Sequence, residues 1–482
     1  MTDEQGLTLD TVDPSFPRRI HLVGVAGTGM GSFAGMLKAA GYEVTGSDEN
    51  VYPPMSDMLK AWGITALTPY AASNLDAARP DLVIIGNVIR RVNAEATAVR
   101  ERRLPQMSFP AALGSLFLKQ RHSVVVAGTH GKTTTSSLMA HVLADAGRDP
   151  SFLVGGVTVN YAGNYRLGKG PHFVVEGDEY DTAYFDKGPK FLHYQARTLI
   201  LTSVEFDHAD IYRDLPHYEA AFERLLAPLG ADATVVVSAS WPNALRLARA
   251  SKARVLTYSG KPGVEAQFTA AQVSQGAEGA RFTVDGVPTL LPLTGLHNIE
   301  NALGVWAAAS SLGLSSQEIA HGLSTFQGVK RRQEVRGEPD GVLVVDDFAH
   351  HPTAVRETIA AVASRYPGRR LWAIFEPRSN TSRRNIHQQD YAKAFDGAQR
   401  VSLKVPERHD KIPQGEELNV PQLVADLSAT GLSASGATTV DALVEEVRRD
   451  ARAGDVLLVM SNGAFGGFLT RTLEALRTRS QP

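Results

Sequence analysis

The stretch Val124–Ala140, VVVAGTHGKTTTSSLMA, leaves few folds open. Three consecutive valines closed by Gly128 predict a short buried strand, Ser123–Ala127. A helix is expected to open near Lys132. Leu138, Met139, Val142 and Leu143 are spaced for one apolar face, and Gly147 supplies a C-terminal stop. Between strand and helix lies Gly128-Thr129-His130-Gly131-Lys132-Thr133, with Thr134 following. Backbone N–H groups in such a turn, together with the positive end of the helix, cradle phosphate oxygens. Lys132 would reach the terminal phosphates, and Thr133 would ligate Mg2+ through its hydroxyl. The usual phosphate loop has about four residues between its glycines; here Thr129 and His130 alone separate them. A plain strand–turn–helix with a chance Gly-Lys-Thr is the alternative, against which stands the order of strand, glycines, Lys, Thr and helix.

With 482 residues the chain has room for about three domains. A net charge of −2 and no long basic block speak against nucleic acid as a partner. There is no cysteine, which removes disulfides, thiolate catalysis and Cys-type zinc sites, and fits a reducing compartment. Residues 1–17 are polar and acidic, so a loose tail is expected there rather than a signal peptide. No apolar run reaches membrane-spanning length.

Upstream of the loop, Arg19–Val25 predicts a strand that runs into Gly24-Val-Ala-Gly27-Thr28-Gly29-Met30-Gly31, then a helix to about Ala40 and a strand over Tyr42–Gly46. Asp48 follows, about twenty residues beyond the glycines, where a ribose hydroxyl would need an acceptor. The glycine spacing departs from the dinucleotide pattern, since Ala34 stands where a third glycine belongs. A nucleoside diphosphate site, a nicotinamide site and a ligand-free tight turn all remain open. Asp81–Gly86 predicts another strand with Asn87 at its C-terminal end, the edge where ligands of open α/β sheets bind. Residues 100–110 read as the exit from this first domain.

Downstream, Phe173–Glu176 predicts a strand that opens the run Glu176-Gly-Asp178-Glu179-Tyr-Asp181. Four acids in six residues repel one another unless a cation joins them; a solvated acidic loop is the other reading. Thr198–Leu201 is a further buried strand, leading to Asp207-His208-Ala-Asp210. His208 follows a strand end on the sheet that carries Lys132 and Glu176, so the three could share one cleft, although a lone histidine is commonly structural. Strands are expected at Ala233–Val237 and Arg254–Tyr258, with an antiparallel excursion over 264–293. Asn298 and Asn301 open an alanine-rich helix, Asn298 as a plausible cap. Gly328–Glu334, with Arg332, marks a change of domain. Val342–Val345 then runs into Asp346-Asp347-Phe-Ala-His350-His351, Leu371–Phe375 into Glu376-Pro-Arg378-Ser379-Asn380, and Val456–Met460 into Ser461-Asn462-Gly463. Each polar cluster ends an apolar run, so one edge of this last sheet is expected to line a cleft.

Taken in order, AGTHGKTTT at 127–135, the acid-rich run at 176–181, DHAD at 207–210, HN and Asn301 at 297–301, and DDFAHHP at 346–352 resemble the Mur ligases from Arg19 to about Leu476. These are ATP-dependent enzymes that join amino acids or peptides to UDP-N-acetylmuramate derivatives. The resemblance implies an α/β fold in three domains: a Rossmann-like UDP-sugar domain over 18–108, a central P-loop ATPase domain over 109–328, and a Rossmann-like peptide domain over 329–482. It implies ATP and Mg2+ as cofactors. It casts Lys132, Glu176 and His208 as catalytic, with Thr133, Glu176 and His208 holding Mg2+. ATP would be held by Gly128, Thr129, His130, Gly131, Lys132, Thr133, Thr134, Asn301, Arg332, Asp347 and His350. Gly27, Thr28, Gly29, Met30, Asp48 and Asn87 would hold the UDP-sugar. Arg378, Asn380, Ser461 and Asn462 would hold the peptide. Phe222 stands where several members carry a carbamylated lysine, so none is expected.

Two branches act directly on UDP-N-acetylmuramate, one adding L-alanine and one adding L-alanyl-γ-D-glutamyl-meso-diaminopimelate. NVYPPMS at 50–56, FDKGPKFLHY at 185–194, EPRSNT at 376–381 and MSNGAFGG at 460–467 resemble the tripeptide branch, as does Phe348-Ala349 in place of Tyr-Gly. The resemblance implies a cytoplasmic monomer or weak homo-oligomer acting in peptidoglycan recycling. Two readings of other classes compete. A nicotinamide dehydrogenase would explain the first glycine-rich turn alone, and a nucleotide switch would explain the phosphate loop without an amide-forming cleft.

Overall fold

The computed structural model describes residues 17–52, 55–407 and 412–479. The valine run forms the strand His122–Ala127 in the interior of an eight-stranded sheet. Parallel partners flank it on both sides, Thr198–Leu201 and His172–Gly177. Successive side chains of a strand point to opposite faces. Val125 and Ala127 accordingly enter one apolar core, and Val124 and Val126 the other. Both faces are covered, which is why this strand reads as a continuous apolar run rather than an alternating one. The helix Lys132–Asp145 follows the loop and ends where Gly147 takes φ +72° and donates to Ala144 O, the stop its position predicts.

A five-stranded sheet precedes this one, wholly parallel, with Arg19–Val23 central between Glu43–Ser47 and Leu82–Ile85. The strand Gln106–Ser108 closes one edge, so the segment that reads as an exit still carries the last strand of the sheet. The first sheet and the central sheet share one apolar core. Phe33 packs on Phe109 and Phe117, and Phe117 on Phe173. The third sheet has six strands. Leu343–Asp347, Asp455–Met460 and Arg370–Phe375 form its middle, and Glu334–Gly337 is antiparallel at the edge. It has two cores of its own. The connecting segment is pinned to the central unit, as Val159 N donates to Gly328 O and Lys330 N to Val157 O.

The expected excursion over 264–293 is a three-stranded antiparallel sheet, Ala271–Gly276, Gly279–Val284 and Val287–Leu291. Asp346 and Asp347, expected just past a strand, are its last two residues and are buried. The tail expected over 1–17 lies outside the described residues except for Pro17. No helix among the described residues is long and apolar enough to cross a membrane.

At the foot of the loop strand, His122 stands opposite His172 and hydrogen-bonds Thr198 Oγ1 at 2.9 Å. Burial, with His172 and Arg197 nearby, lowers its pKa to about 4. A histidine held neutral in the fold binds its proton more readily in the unfolded chain. Its contribution is therefore whole above about pH 6.5 and drains away as pH falls toward about 4. Melting temperature should decline over that window, and His122→Gln should flatten the decline; an unchanged slope would assign the acid sensitivity elsewhere.

Candidate active site

The phosphate loop owes its shape to close approach. Gly128 has φ +134°, and a Cβ there would sit 2.2 Å from Thr202 Oγ1 and 2.8 Å from Ser203 N. Gly131, at the helix start with φ +79°, would meet Asn301 Oδ1 at 2.4 Å. Only glycine fits either position. The loop is braced from below: Thr202 Oγ1 donates to His130 O at 2.6 Å, and His130 N donates to Ser203 Oγ at 2.9 Å. Its helix runs for fourteen residues and offers N–H groups and a positive end toward the loop. Thr134 is buried one position beyond Thr133.

Lys132 lies folded back over this loop. Its Nζ donates to Gly128 O at 2.7 Å and Thr129 O at 3.2 Å, and it stands 2.9 Å and 2.8 Å from the two oxygens of Glu179. Burial opposes the charge on Lys132, but Glu179, Asp178 and Glu176 outweigh it and raise its pKa. Glu179 is fully buried, and it also accepts from His208 Nε2 at 2.8 Å. Burial favours its neutral form; Lys132 and His208 reverse that and lower its pKa. His208 keeps a left-handed backbone, φ +56°, with its ring 4.3 Å from that of Tyr180. Burial works against its protonation, yet the bond to Glu179 and the charge of Asp207 raise it to about 8.

Sequence reading singled out Glu176 from the acidic run and passed over Glu179. The two carboxylates have separate partners. Glu176 accepts from Thr133 Oγ1 at 3.0 Å and from Gly155 N at 2.7 Å. Burial raises its pKa, with Lys132 opposing. Glu176 and His208, expected to share one cation, are not hydrogen-bonded to each other; Glu179 takes His208 instead. Tyr212 OH bonds Glu179 O and Tyr218 OH its carboxylate, so the tyrosines after the DHAD run were the overlooked signal. Asp178 binds Lys190 at 2.6 Å. Three neighbouring carboxylates, Glu179 buried and Glu176 and Asp178 half-buried, are thus offset by Lys132, Lys190 and His208. Thr133 and Glu176 together present oxygen donors of the kind Mg2+ takes.

Other expected residues surround this centre. Asn301 overlies Gly131 and donates to Asn298 Oδ1 at 3.3 Å. Arg332 reaches Thr133 Oγ1 at 3.4 Å and lies over the Phe348 ring at 4.9 Å. Asp347 accepts from Gln333 N and Ala349 N, each at 2.8 Å, so its carboxylate secures the domain connection and its own turn. His350 is half-buried on the side of Asp207 and His208, and desolvation lowers its pKa.

Two groups stand apart. In the first sheet Gly27, Thr28 and Gly29 are exposed at the start of the helix Thr28–Ala39, with Met30 buried behind them and Asn87 exposed at the end of Leu82–Ile85. Asp48 braces this loop, accepting from Ala26 N at 2.8 Å and Tyr70 OH at 3.0 Å. In the third sheet Ser461 bonds Glu376, and Arg331 ties Ser461 O and Gly463 O at 2.7 Å each. Asn462 Oδ1 is buried with no hydrogen-bond partner among the described residues. Asn380 donates to Asp210 Oδ2 at 2.8 Å, which places it against the DHAD run. Arg378 is exposed, packs on Gly463, and makes no hydrogen bond or ion pair among the described residues.

A phosphate loop on a central sheet, with a glycine-rich turn in the sheet before it and polar strand ends in the sheet after it, is the architecture of a nucleotide-dependent enzyme with three α/β units. Sequence comparison agrees. The profile of the Mur ligase family catalytic domain matches residues 19–121, that of the Mur ligase middle domain 126–309, and that of the Mur ligase glutamate ligase domain 331–463. The UDP-N-acetylmuramate–L-alanyl-γ-D-glutamyl-meso-2,6-diaminoheptandioate ligase of Escherichia coli (strain K12) is 39% identical, over 96% of this chain and 99% of its own. The UDP-N-acetylmuramate–L-alanine ligase of Nitrosomonas europaea is 33% identical, over 93% and 95%. Among solved structures, a murein peptide ligase from Psychrobacter arcticus superposes with a TM-score of 0.71 at 34% identity, covering 96% of this chain and 99% of that one. The chain belongs to the Mur ligase family.

Removing Glu179 strands two cations, the buried His208 and the largely covered Lys132. Glu179→Ala should cost roughly 3 kcal/mol in urea unfolding, and Glu179→Gln less. A loss below about 0.5 kcal/mol would mean that water, not Glu179, compensates Lys132.

Proposed function

We propose that the chain joins L-alanyl-γ-D-glutamyl-meso-diaminopimelate to UDP-N-acetylmuramate with hydrolysis of ATP to ADP and phosphate, a step of peptidoglycan recycling. The observation that carries this is the 39% identity, over nearly the whole of both chains, to a ligase named for that tripeptide, against 33% for one named for L-alanine. Arg378 supports it, as an exposed, unpaired cation at the C-terminal edge of the third sheet that suits an anionic peptide. Nucleotide substrates suit a cytoplasmic enzyme.

In this reading the ATP phosphates occupy the loop Gly128–Thr134, and Lys132 leaves Glu179 for the terminal phosphates. Asn301 covers the nucleotide side of Gly131. The glycine-rich turn Gly27–Met30, with Asp48 and Asn87, receives the UDP-sugar. The lactyl carboxylate of UDP-N-acetylmuramate is a poor acyl donor, because an oxide is a poor leaving group. Transfer of the γ-phosphoryl group to it forms an acyl phosphate and releases ADP. Two anions must approach for that step, and Lys132 and Arg332 offset their repulsion. Mg2+ held at Thr133 and Glu176, with Glu179 and His208 beside them, would supply further neutralising charge. The free amine of the tripeptide alanine then attacks the acyl carbon, forming the amide bond as phosphate departs with the C–O bond electrons. Arg378, Asn380, Ser461 and Asn462 orient the tripeptide from the third unit. Holding amine and acyl phosphate together contributes on the order of 7–11 kcal/mol.

Phosphate release from Mg·ATP with UDP-N-acetylmuramate should be strongly stimulated by the tripeptide and weakly by L-alanine, with a ligated product of matching mass. Stimulation by L-alanine alone would make the chain an alanine-adding ligase. Lys132→Ala should abolish ligation while leaving UDP-N-acetylmuramate binding within about threefold in calorimetry; loss of that binding would overturn the assignment of the first sheet.

A further inference from the structure

Glu205 joins two units through a single carboxylate. It lies four residues past the strand Thr198–Leu201. Its main chain is bound to the phosphate loop, since Thr129 Oγ1 is 2.9 Å from both Glu205 O and Glu205 N. Its Oε2 lies 2.6 Å from His130 Nε2, again on the loop. Its Oε1 accepts from Thr353 Oγ1 at 3.1 Å, and His351 Nδ1 stands 3.7 Å from Oε2. Both of these residues begin the helix Pro352–Arg365 of the third unit, where His351 is the cap that accepts from Thr353 N. A carboxylate at a helix N-terminus is favoured by the unpaired N–H groups there. One oxygen therefore serves the loop and the other serves the C-terminal unit.

The ligand-type atoms of His130, Glu205 and His351 lie within 4.8 Å of one another, a spacing open to a divalent cation. Each carboxylate oxygen already accepts a hydrogen bond, however, and His351 Nδ1 is engaged as a helix cap. Direct hydrogen-bonded coupling is what this arrangement serves.

We propose that Glu205 is a positioning residue that couples the phosphate loop to the first turn of the helix Pro352–Arg365, so that a nucleotide on the loop tightens the seating of the C-terminal unit. The proposal rests on reading the loop as an ATP site. Of the other cross-unit contacts, Arg332 reaches Thr133 Oγ1 at the far end of the loop, whereas Asn380 with Asp210 meets the central unit away from it. The His130 ring also lies 4.8 Å from that of His351, and Glu205 is the group that hydrogen-bonds both His130 and the third unit's Thr353.

The test uses the full chain and a non-hydrolysable ATP analogue with Mg2+. Calorimetry on the wild type first reads whether the analogue binds; failure to bind overturns the loop reading and the coupling together. Where it binds, hydrogen–deuterium exchange should show slower exchange in the first turns of 352–365 on addition of the analogue. Thr353→Val cuts only the arm to the third unit. It should keep analogue affinity within about threefold, abolish that protection, and lower kcat by about 10- to 100-fold with little change in KM for ATP. Thr353→Ser should restore both. Glu205→Gln should behave like Thr353→Val, and the double variant should be no worse than either single one. Protection that survives in Thr353→Val, multiplicative losses in the double variant, or a wild type whose helix is indifferent to bound analogue would each overturn the coupling.

Discussion

The ion pair between Lys132 and Glu179 sets the terms for everything around it. A lysine ammonium largely withdrawn from water is costly unless a carboxylate lies beside it, and Glu179 is there, fully buried, within 2.9 Å. That carboxylate then needs more than one cation, and His208 meets the need from the far side. His208 accepts a left-handed backbone to reach it, an arrangement that costs on the order of 1 kcal/mol. The result is a charged centre balanced within the protein and ready to exchange partners. Phosphate oxygens would compete with Glu179 for Lys132, and a released Glu179 would be an oxygen donor for a cation.

The way the units are joined follows the same division between apolar and polar contact. The first and central sheets share one apolar core through Phe33, Phe117 and Phe173. Tyr184, on the far side, takes a hydrogen bond from Arg100 of the first unit. The third unit has separate cores. It meets the rest through polar contacts such as Gln333 with Thr294, Asn380 with Asp210, and Thr353 with Glu205. Polar interfaces exchange protein partners for water at small net cost, whereas separating an apolar core exposes it. Separating the third unit would thus expose less apolar surface than separating the first two.

Much of this was legible in the chain. The valine run, the glycines and the helix after Lys132 stand where sequence places them, because each rests on a local rule: burial on both faces, positive φ, or an apolar stripe. The strand Thr198–Leu201 matches its expected bounds for the same reason. The strand Ser151–Thr158, SFLVGGVT, went unread because paired glycines hide a strand in sequence; Gly155 is there to leave room for the Glu176 carboxylate, 2.7 Å from where a Cβ would be. Gln106–Ser108 is too short to show a period at all.

Sequence by itself determined the family, the order of the units and the residue types at each strand end, since these depend on neighbours along the chain and on motifs of fixed spacing. Tertiary structure decided which acid serves which cation. Glu176, Asp178 and Glu179 are near-equivalent in sequence, and only the folding of Thr133, Lys190, Lys132 and His208 around them gives each its own partner. Tertiary structure likewise made Asp347 a fastener of the domain connection and Glu205 a bridge to the third unit. Charge–charge contacts depend on separation in space and carry no period along the chain, so spacing alone does not assign them.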